Sequence, residues 1–549
     1  MSGRPQWFMA YVVAALSAWL VLSALTALRP GRRGIFAALA YPVGWAAGEL
    51  PVQAIVAEAA LVGLLVWWGW PRTSWLGVLV VVAASIVVLE NLALVAIQFH
   101  SRSVVRRALA QSPREPLVLP APREDRFGSW WRTALQVPLH PRDMQLIRNV
   151  PYGPLARHRL DVWRMSRTPK DAPVIFYVHG GAWTFGDKRE QGRPMLHEFV
   201  RRGWVAVACN YRLAPKNAWP AQIEDVTRTL AWIKKSIASY GGDPSRVVVA
   251  GGSAGGHLAA LLALSTEDPT WRPADIQGVR DWSVRGAIPL YGVLEMTGDE
   301  AHWRGLGRGL RILLEQRVVL KPFAEDPALY EQMSPYHRLH EDAPPFLVVQ
   351  GRNDTLVDVQ VARDFVEKFR AVALSPVYYV ELPFTQHAFD VTASPRTSAV
   401  VRAAVVFAES VVRPRPTLSP ALLASYQVPP TELRVELSSA RNVEATEVAR
   451  ELGPYWVLSA DNPFSTRLSD EENERRRGEL AQVLASRELV YRSSLAHDPS
   501  GRWPDERGFA VFGTSEVTVR ALARSFEQFA FYFVDDVEVR VVLSFEQRR

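Results

Sequence analysis

A serine hydroxyl is a weak nucleophile at neutral pH, and becomes useful when a base takes its proton and a carboxylate orients that base. Gly251-Gly252-Ser253-Ala254-Gly255 offers such a serine in a G-x-S-x-G pattern. The β-branched run Val247-Val248-Val249 precedes it and an Ala/Leu-rich stretch follows. A strand turning sharply into a helix would raise the hydroxyl above a sheet, and the glycines permit that turn. A plain glycine-rich turn would lack these flanks. The partners of such a serine follow in the order carboxylate, then histidine. Asp354 lies just beyond the apolar run Phe346-Leu347-Val348-Val349, and His387 follows the run Val377 to Leu382. Ser253, Asp354 and His387 are therefore the predicted nucleophile, acid and base. Asp358 and Asp390 are weaker alternatives for the acid, being farther from their strand ends. A developing oxyanion needs amide donors. Gly180 and Gly181 of His179-Gly180-Gly181-Ala182-Trp183, with Ala254, are the predicted set. His179 and His257 read as structural histidines.

The elements that must hold these residues are short apolar runs alternating with helical patterns from about Met144, the mark of a mainly parallel α/β sheet with crossover helices. Strands are predicted at 174–178, 205–209, 247–249, 287–290, 346–349 and 377–382. Helices are predicted at about 221–238, 255–264 and 359–372. The stretch Thr297 to Tyr336 is partly amphipathic, and reads either as a cap over an acyl pocket or as an ordinary helical insertion.

Val178 to Trp183, Asn210-Tyr211-Arg212-Leu213-Ala214-Pro215, Pro220 to Val226 and Gly251 to His257 together resemble the hormone-sensitive-lipase-like bacterial carboxylesterases of the α/β-hydrolase fold. The resemblance covers about residues 144–412. It implies hydrolysis of carboxylic esters through an acyl-serine, with no metal and no organic cofactor, and by position Ser253, Asp354 and His387 match the family's triad. Two positions depart from the pattern. The family often carries an acidic residue where this chain has Gly252, and its third loop glycine is Ala182 here. Formamidases and feruloyl-esterase-like enzymes share the same elements, so an amidase on the same triad is the alternative. A non-catalytic scaffold that recruits a protein partner is a third reading, disfavoured because it would not need all three side chains.

The 549 residues exceed one ordinary domain. The single cysteine, Cys209, sits in the apolar run Val205 to Cys209 and reads as a buried thiol. Between Ser101 and Lys170 there are 14 Lys/Arg against 5 Asp/Glu. No stacking aromatics accompany them in a nucleic-acid-binding module, so no nucleic-acid partner is expected. The first hundred residues hold three charge-poor stretches, 8–28, 51–70 and 76–98, each suited to a bilayer, with Trp67, Trp68 and Trp70 as an interfacial belt. Three spans put Arg29, Arg32, Arg33, Arg102, Arg106 and Arg107 on one side. The positive-inside rule then predicts a multi-pass protein of the bacterial inner membrane with a cytoplasmic catalytic domain. A fourth crossing by 34–48 would turn that domain outward. The substrate expected is a lipid or small acyl ester. A basic juxtamembrane linker is predicted at 108–143.

Val412-Arg413-Pro414-Arg415-Pro416 reads as the start of a linker over 413–430. A small α+β domain is predicted at 431–549. Its Ser459 to Pro463 and Phe526 to Ala530 elements resemble a small bacterial family of unknown function. Asp461, Asn462 and Glu527 would serve either a binding site or turns and solvated helix faces.

Overall fold

The computed structural model describes residues 25–30, 34–67, 75–111, 117–119, 143–298, 307–413, 432–438, 441–463, 466–497 and 505–544, with isolated positions before 25. Most of the first predicted span and most of the predicted 108–143 linker lie outside the described residues, as does the 413–430 linker beyond Arg413. Two compact units emerge. One comprises Met1–Leu339, Pro344–Ala371 and Pro376–Val412. The other comprises His340–Ala343, Val372–Ser375 and Arg413–Arg549.

The first unit begins with three apolar helices, α1 (Gly34–Glu49), α2 (Pro51–Trp67) and α3 (Trp75–Ala110). Among the described residues one stretch, Ala84–Ala110 of α3, is long and apolar enough to cross a membrane. Helix α3 runs well past the predicted end at 98. Val105 and Leu109 near its end are fully buried in the main core, and so are Leu117 and Leu119, which the sequence assigned to the linker. The Pro- and Arg-rich composition around these leucines hides their burial.

The sheet of this unit has eight strands: β1 (Met144–Pro151), β2 (Arg159–Met165), β3 (Ala172–Val178), β4 (Val205–Cys209), β5 (Gly242–Gly252), β6 (Gly286–Leu290), β7 (Phe346–Gly351) and β8 (Val377–Leu382). Their order is β1-β2-β4-β3-β5-β6-β7-β8. The pairs β1/β2 and β2/β4 are antiparallel and all others are parallel. Strands β3 to β8 are almost continuously buried, as expected where helices cover both faces. The unit's other helices are α4 (Arg193–Arg201), α5 (Ala221–Ser236), α6 (Ala254–Leu264), α7 (Gly307–Leu313), α8 (Pro327–Gln332), α9 (Val359–Val372) and α10 (Pro395–Val411). Cys209 is a free, fully buried thiol, pushed up to about 12 by desolvation.

Within the predicted stretch Thr297 to Tyr336, residues 299–306 lie outside the described residues. Leu314 and Val318 bury themselves, whereas Ile312 and Leu320 are exposed. The carbonyl of Val318 accepts the Trp219 amide at 2.9 Å, which seats this insertion on the α/β body.

The second unit holds a seven-stranded, wholly antiparallel sheet ordered β10-β9-β12-β13-β11-β14-β15. Its strands are β9 (Glu432–Ser438), β10 (Arg441–Glu444), β11 (Tyr455–Ser459), β12 (Val490–His497), β13 (Glu506–Phe512), β14 (Ala530–Val534) and β15 (Val539–Leu543). Helices α11 (Ala445–Leu452), α12 (Asp470–Ser486) and α13 (Glu516–Ser525) accompany them. Leu480, Leu484, Val519 and Leu522 from two of these helices pack with Trp456, Leu458, Val511 and Phe531 of the sheet.

Candidate active site

Parallel strands collect their loops at the carboxyl edge, and three of these loops supply the predicted chemistry. Strand β5 ends at Gly252, Ser253 takes φ 56° and ψ −124°, and α6 begins at Ala254. That left-handed φ on a non-glycine residue is the strained elbow expected of an exposed nucleophile. Glycine is required on either side of it. A Cβ on Gly251 would lie 2.3 Å from the Gly255 carbonyl oxygen, and one on Gly255 would lie 2.1 Å from that of Val178.

Asp354 follows β7 and His387 follows β8. The three side chains meet. His387 Nε2 lies 2.8 Å from Ser253 Oγ, and His387 Nδ1 lies 2.7 Å from Asp354 Oδ2. The carboxylate is fixed from its other side. Leu356 and Val357 amides donate to Oδ1, each at 2.9 Å, and Gln350 Nε2 donates to Oδ2 at 3.0 Å. With Asp354 accepting at Nδ1, the proton sits on that nitrogen and Nε2 is left to accept from the serine. Asp354 and His387 are buried, whereas Ser253 is half-buried. This arrangement can deprotonate a serine as it attacks a carbonyl carbon.

The other candidates for the acid are engaged elsewhere. Asp358 Oδ1 accepts the Gln360 amide at 2.9 Å. Asp390 is buried beside Tyr291 and Tyr177, whose hydroxyls donate to it. Desolvation raises its pKa, opposed by those hydrogen bonds. Tyr291 also sets its ring edge against His387, with centroids 4.6 Å apart. No local pattern in the sequence marks Tyr291 as part of this cluster.

The amide donors divide unevenly. Gly180 N–H already donates to Gln191 Oε1 at 2.7 Å, so the expected set of Gly180, Gly181 and Ala254 loses its first member in this arrangement. The amides of Gly181, Ala182 and Ala254 donate to no acceptor among the described residues. Gly181 and Ala182 have φ of 114° and 49°. This folded-back backbone is what leaves their N–H groups unspent, whereas Ala254 is a first-turn helix residue whose amide has no intrahelical acceptor. Gln191 gave no signal in the sequence.

Both other histidines are structural. His179 stacks on Tyr211 at 4.3 Å and donates from Nδ1 to the Gly180 carbonyl at 2.7 Å. His257 Nε2 donates to the Met333 carbonyl at 2.7 Å, and its Nδ1 accepts from Trp183 Nε1 at 3.2 Å. Burial lowers each to about 4. The Asn210-Tyr211-Arg212 motif braces the neighbouring loops. Asn210 holds Asp187 and the Lys188 amide, and Arg212 pairs with Asp225, which also meets His158 at 3.0 Å. In the second unit, Asp461 pairs with Arg477, Asn462 bonds to Asn473, and Asn462 and Glu527 both sit at left-handed turn positions. These roles are those of turns and ion pairs.

Comparison with known proteins agrees with this division. Residues 160–369 match the BD-FAE family model, and residues 458–531 match that of a protein family of unknown function, DUF3293. The probable carboxylic ester hydrolase LipM of Mycobacterium tuberculosis is 45% identical over 262 residues, 47% of this chain and 59% of that protein. Esterase LipQ of the same organism is 39% identical over 48% of this chain and 62% of its own length. This chain thus spans about three-fifths of the curated relatives it matches. A solved thermophilic esterase from Thermogutta terrifontis is 21% identical, with a TM-score of 0.41, over 49% of this chain and 93% of that one. The central region of this chain is thus similar to the BD-FAE group of hormone-sensitive-lipase-like α/β hydrolases, and its C-terminal region to the DUF3293 family.

Proposed function

We propose that the chain is a membrane-anchored serine carboxylesterase that hydrolyses acyl esters through an acyl-serine. The single observation carrying this reading is the continuous hydrogen-bonded line from Asp354 through His387 to Ser253, at 2.7 and 2.8 Å. The names of its mycobacterial relatives point the same way. Ser253 Oγ attacks the ester carbonyl carbon while His387 Nε2 takes its proton, and Asp354 steadies the resulting imidazolium. The oxyanion is held by the amides of Ala254, Gly181 and Ala182, the last replacing Gly180. As the C–O bond breaks, His387 returns the proton to the leaving alkoxide. Water then enters, His387 takes a proton from it, and the acid departs with Ser253 restored.

The anchor is the N-terminal region. Exposed apolar side chains on one side of α3, Ile86, Leu89, Leu92 and Phe99, support a lipid-facing surface. With three spans, Arg29, Arg32, Arg33, Arg102, Arg106 and Arg107 share one side of the membrane, which favours a cytoplasmic hydrolase in the bacterial inner membrane. The hydrolase domain is assigned to about residues 144–412 and the C-terminal domain to 431–549. The test is fluorophosphonate labelling of the detergent-solubilised chain, followed by turnover of short- and long-chain p-nitrophenyl esters beside an anilide. Labelling and ester turnover that vanish in Ser253→Ala support the reading. Preference for the anilide would replace it with an amidase, and absence of labelling with a scaffold.

A further inference from the structure

Both residues that activate Ser253 sit on loops, and loops alone are imprecise supports for groups that must be held to within a fraction of an ångström. In this protein the chain neighbour of each is tied to the N-terminal helices. Asn353, immediately before Asp354, donates from Nδ2 to the carbonyls of Ala27 and Leu28 at 2.8 and 3.1 Å. Those carbonyls close a helical turn at residues 25–28, just before Arg29-Pro30, where helix acceptors have no partner along the chain. Ala388, immediately after His387, offers its carbonyl to Trp45 Nε1 of α1 at 2.9 Å. Ala388 has φ 56°, a conformation an alanine keeps only when its surroundings over-determine it.

A third tie lies slightly further on. Glu49, at the end of α1, pairs with buried Arg396 and accepts from Ser394 Oγ at 2.9 Å. Ser394 caps α10, and Thr397 in its first turn donates to the Phe389 carbonyl at 3.0 Å, back on the histidine loop. Helix α1 is itself anchored. Gln98 of α3 donates to the Gly48 carbonyl at 2.7 Å, and Ala27, Ala47 and Leu94 share a small buried core. Tyr41 of α1 completes the arrangement, its ring edge-on to His387 with centroids 6.1 Å apart.

We propose that the helical turn at residues 25–28 and helix α1 are working parts of the active site, with Trp45 and Asn353 as positioning residues that hold the His387 and Asp354 loops in line with Ser253. The inference rests on the serine-esterase reading, and goes beyond it by giving the membrane-proximal helices a share in catalysis as well as in anchoring. A misplacement of about 1 Å in such a constellation costs up to about a hundredfold in rate. Loss of one tie is expected to cost less, because the others remain.

The test uses the full chain in detergent micelles, with Trp45→Phe, which keeps a ring but loses the N–H donor, and Asn353→Ala. For each, kcat and KM for p-nitrophenyl butyrate are measured per fluorophosphonate-titrated site, together with the labelling rate and the pH profile of kcat/KM. Counting only titrated sites removes misfolded protein from the comparison. The expected result is a fall of about tenfold in kcat and labelling rate in each single variant, with KM within about twofold and the acid limb of the profile displaced. A larger loss is expected in the double variant. Wild-type kcat, labelling rate and pH profile in both single variants would overturn the proposal. Wild-type protein that neither labels nor turns over ester would overturn the esterase reading itself, and is told apart because it needs no variant.

Discussion

Gly252 shows how a single position records its surroundings. Relatives by resemblance often carry an acidic residue before the serine, yet here a Cβ would sit 2.5 Å from the Tyr291 hydroxyl and 2.9 Å from its Cζ. Tyr291 is buried and its hydroxyl is committed to Asp390, so it has little room to yield. A buried carboxylate therefore reaches the neighbourhood of the elbow from the histidine loop instead of from the nucleophile strand. Gly252→Ala is expected to slow fluorophosphonate labelling by about tenfold or more, since overpacking of about 1–3 kcal/mol falls directly on the residue that sets the serine. Gly252→Asp should be worse, although it restores the residue that relatives often have. Removing the clashing hydroxyl checks the cause. In the double variant Gly252→Ala/Tyr291→Phe, labelling should be faster than the two single effects added together would give. Simple additivity would mean that the contact with Tyr291 is not what excludes a side chain.

At the scale of elements, α3 performs two tasks on two faces. Ala84, Val87, Asn91, Leu94, Gln98, Ser101, Val105 and Leu109 recur at three- and four-residue steps and are buried, while Val82, Ile86, Leu89, Leu92 and Phe99 stand exposed. Leu109→Ala should therefore lower the stability of the hydrolase unit by about 2–5 kcal/mol, read as a shift in its denaturation midpoint. Leu89→Lys/Leu92→Lys removes no packing and should leave that midpoint in place, while weakening retention of the chain in floated liposomes. Equal stability losses in both variants would contradict the division of faces. The sequence displays the apolarity of this helix but not which face turns inward, because every side of it is hydrophobic. Strands β4 and β8 were legible to the residue, since buried β-branched and aromatic runs with polar or turn-forming neighbours leave little choice. Strands β1 and β2 were not, because their charged and apolar residues follow no single period. The same contrast governs the site. Ser253 stands at an elbow that its own flanking residues announce. Trp45 meets Ala388 across 343 residues of chain, and Gln191 and Tyr291 likewise act through tertiary contacts that no local pattern encodes.

Among the described residues, large buried cores lie under the α/β sheet and, separately, under the C-terminal antiparallel sheet, beside the small one of Ala27, Ala47 and Leu94. Unfolding should therefore proceed in more than one transition, and a single two-state fit should fail. Acid should move the hydrolase transition in a specific direction. His179 and His257 both lie in that unit, and burial holds each to about 4 against an ordinary value near 6.5. Between those values the unfolded chain binds more protons than the folded one, so stability is complete above about pH 6.5 and declines as pH falls toward 4. The full difference corresponds to about 3 kcal/mol for each histidine. Asp390 works in the opposite sense, because its raised pKa favours the folded state as pH falls, and it reduces the net slope. His257 is the more informative probe, as its Nδ1 already accepts from Trp183 and can take a proton only by losing that bond. In His257→Gln, the hydrolase midpoint should be lower at pH 7 yet change less between pH 7 and pH 4.5 than in the wild type, as followed by denaturant titration. An unchanged slope would show that His257 takes up its proton without cost to the fold, which its buried contacts with Trp183 and Met333 do not allow.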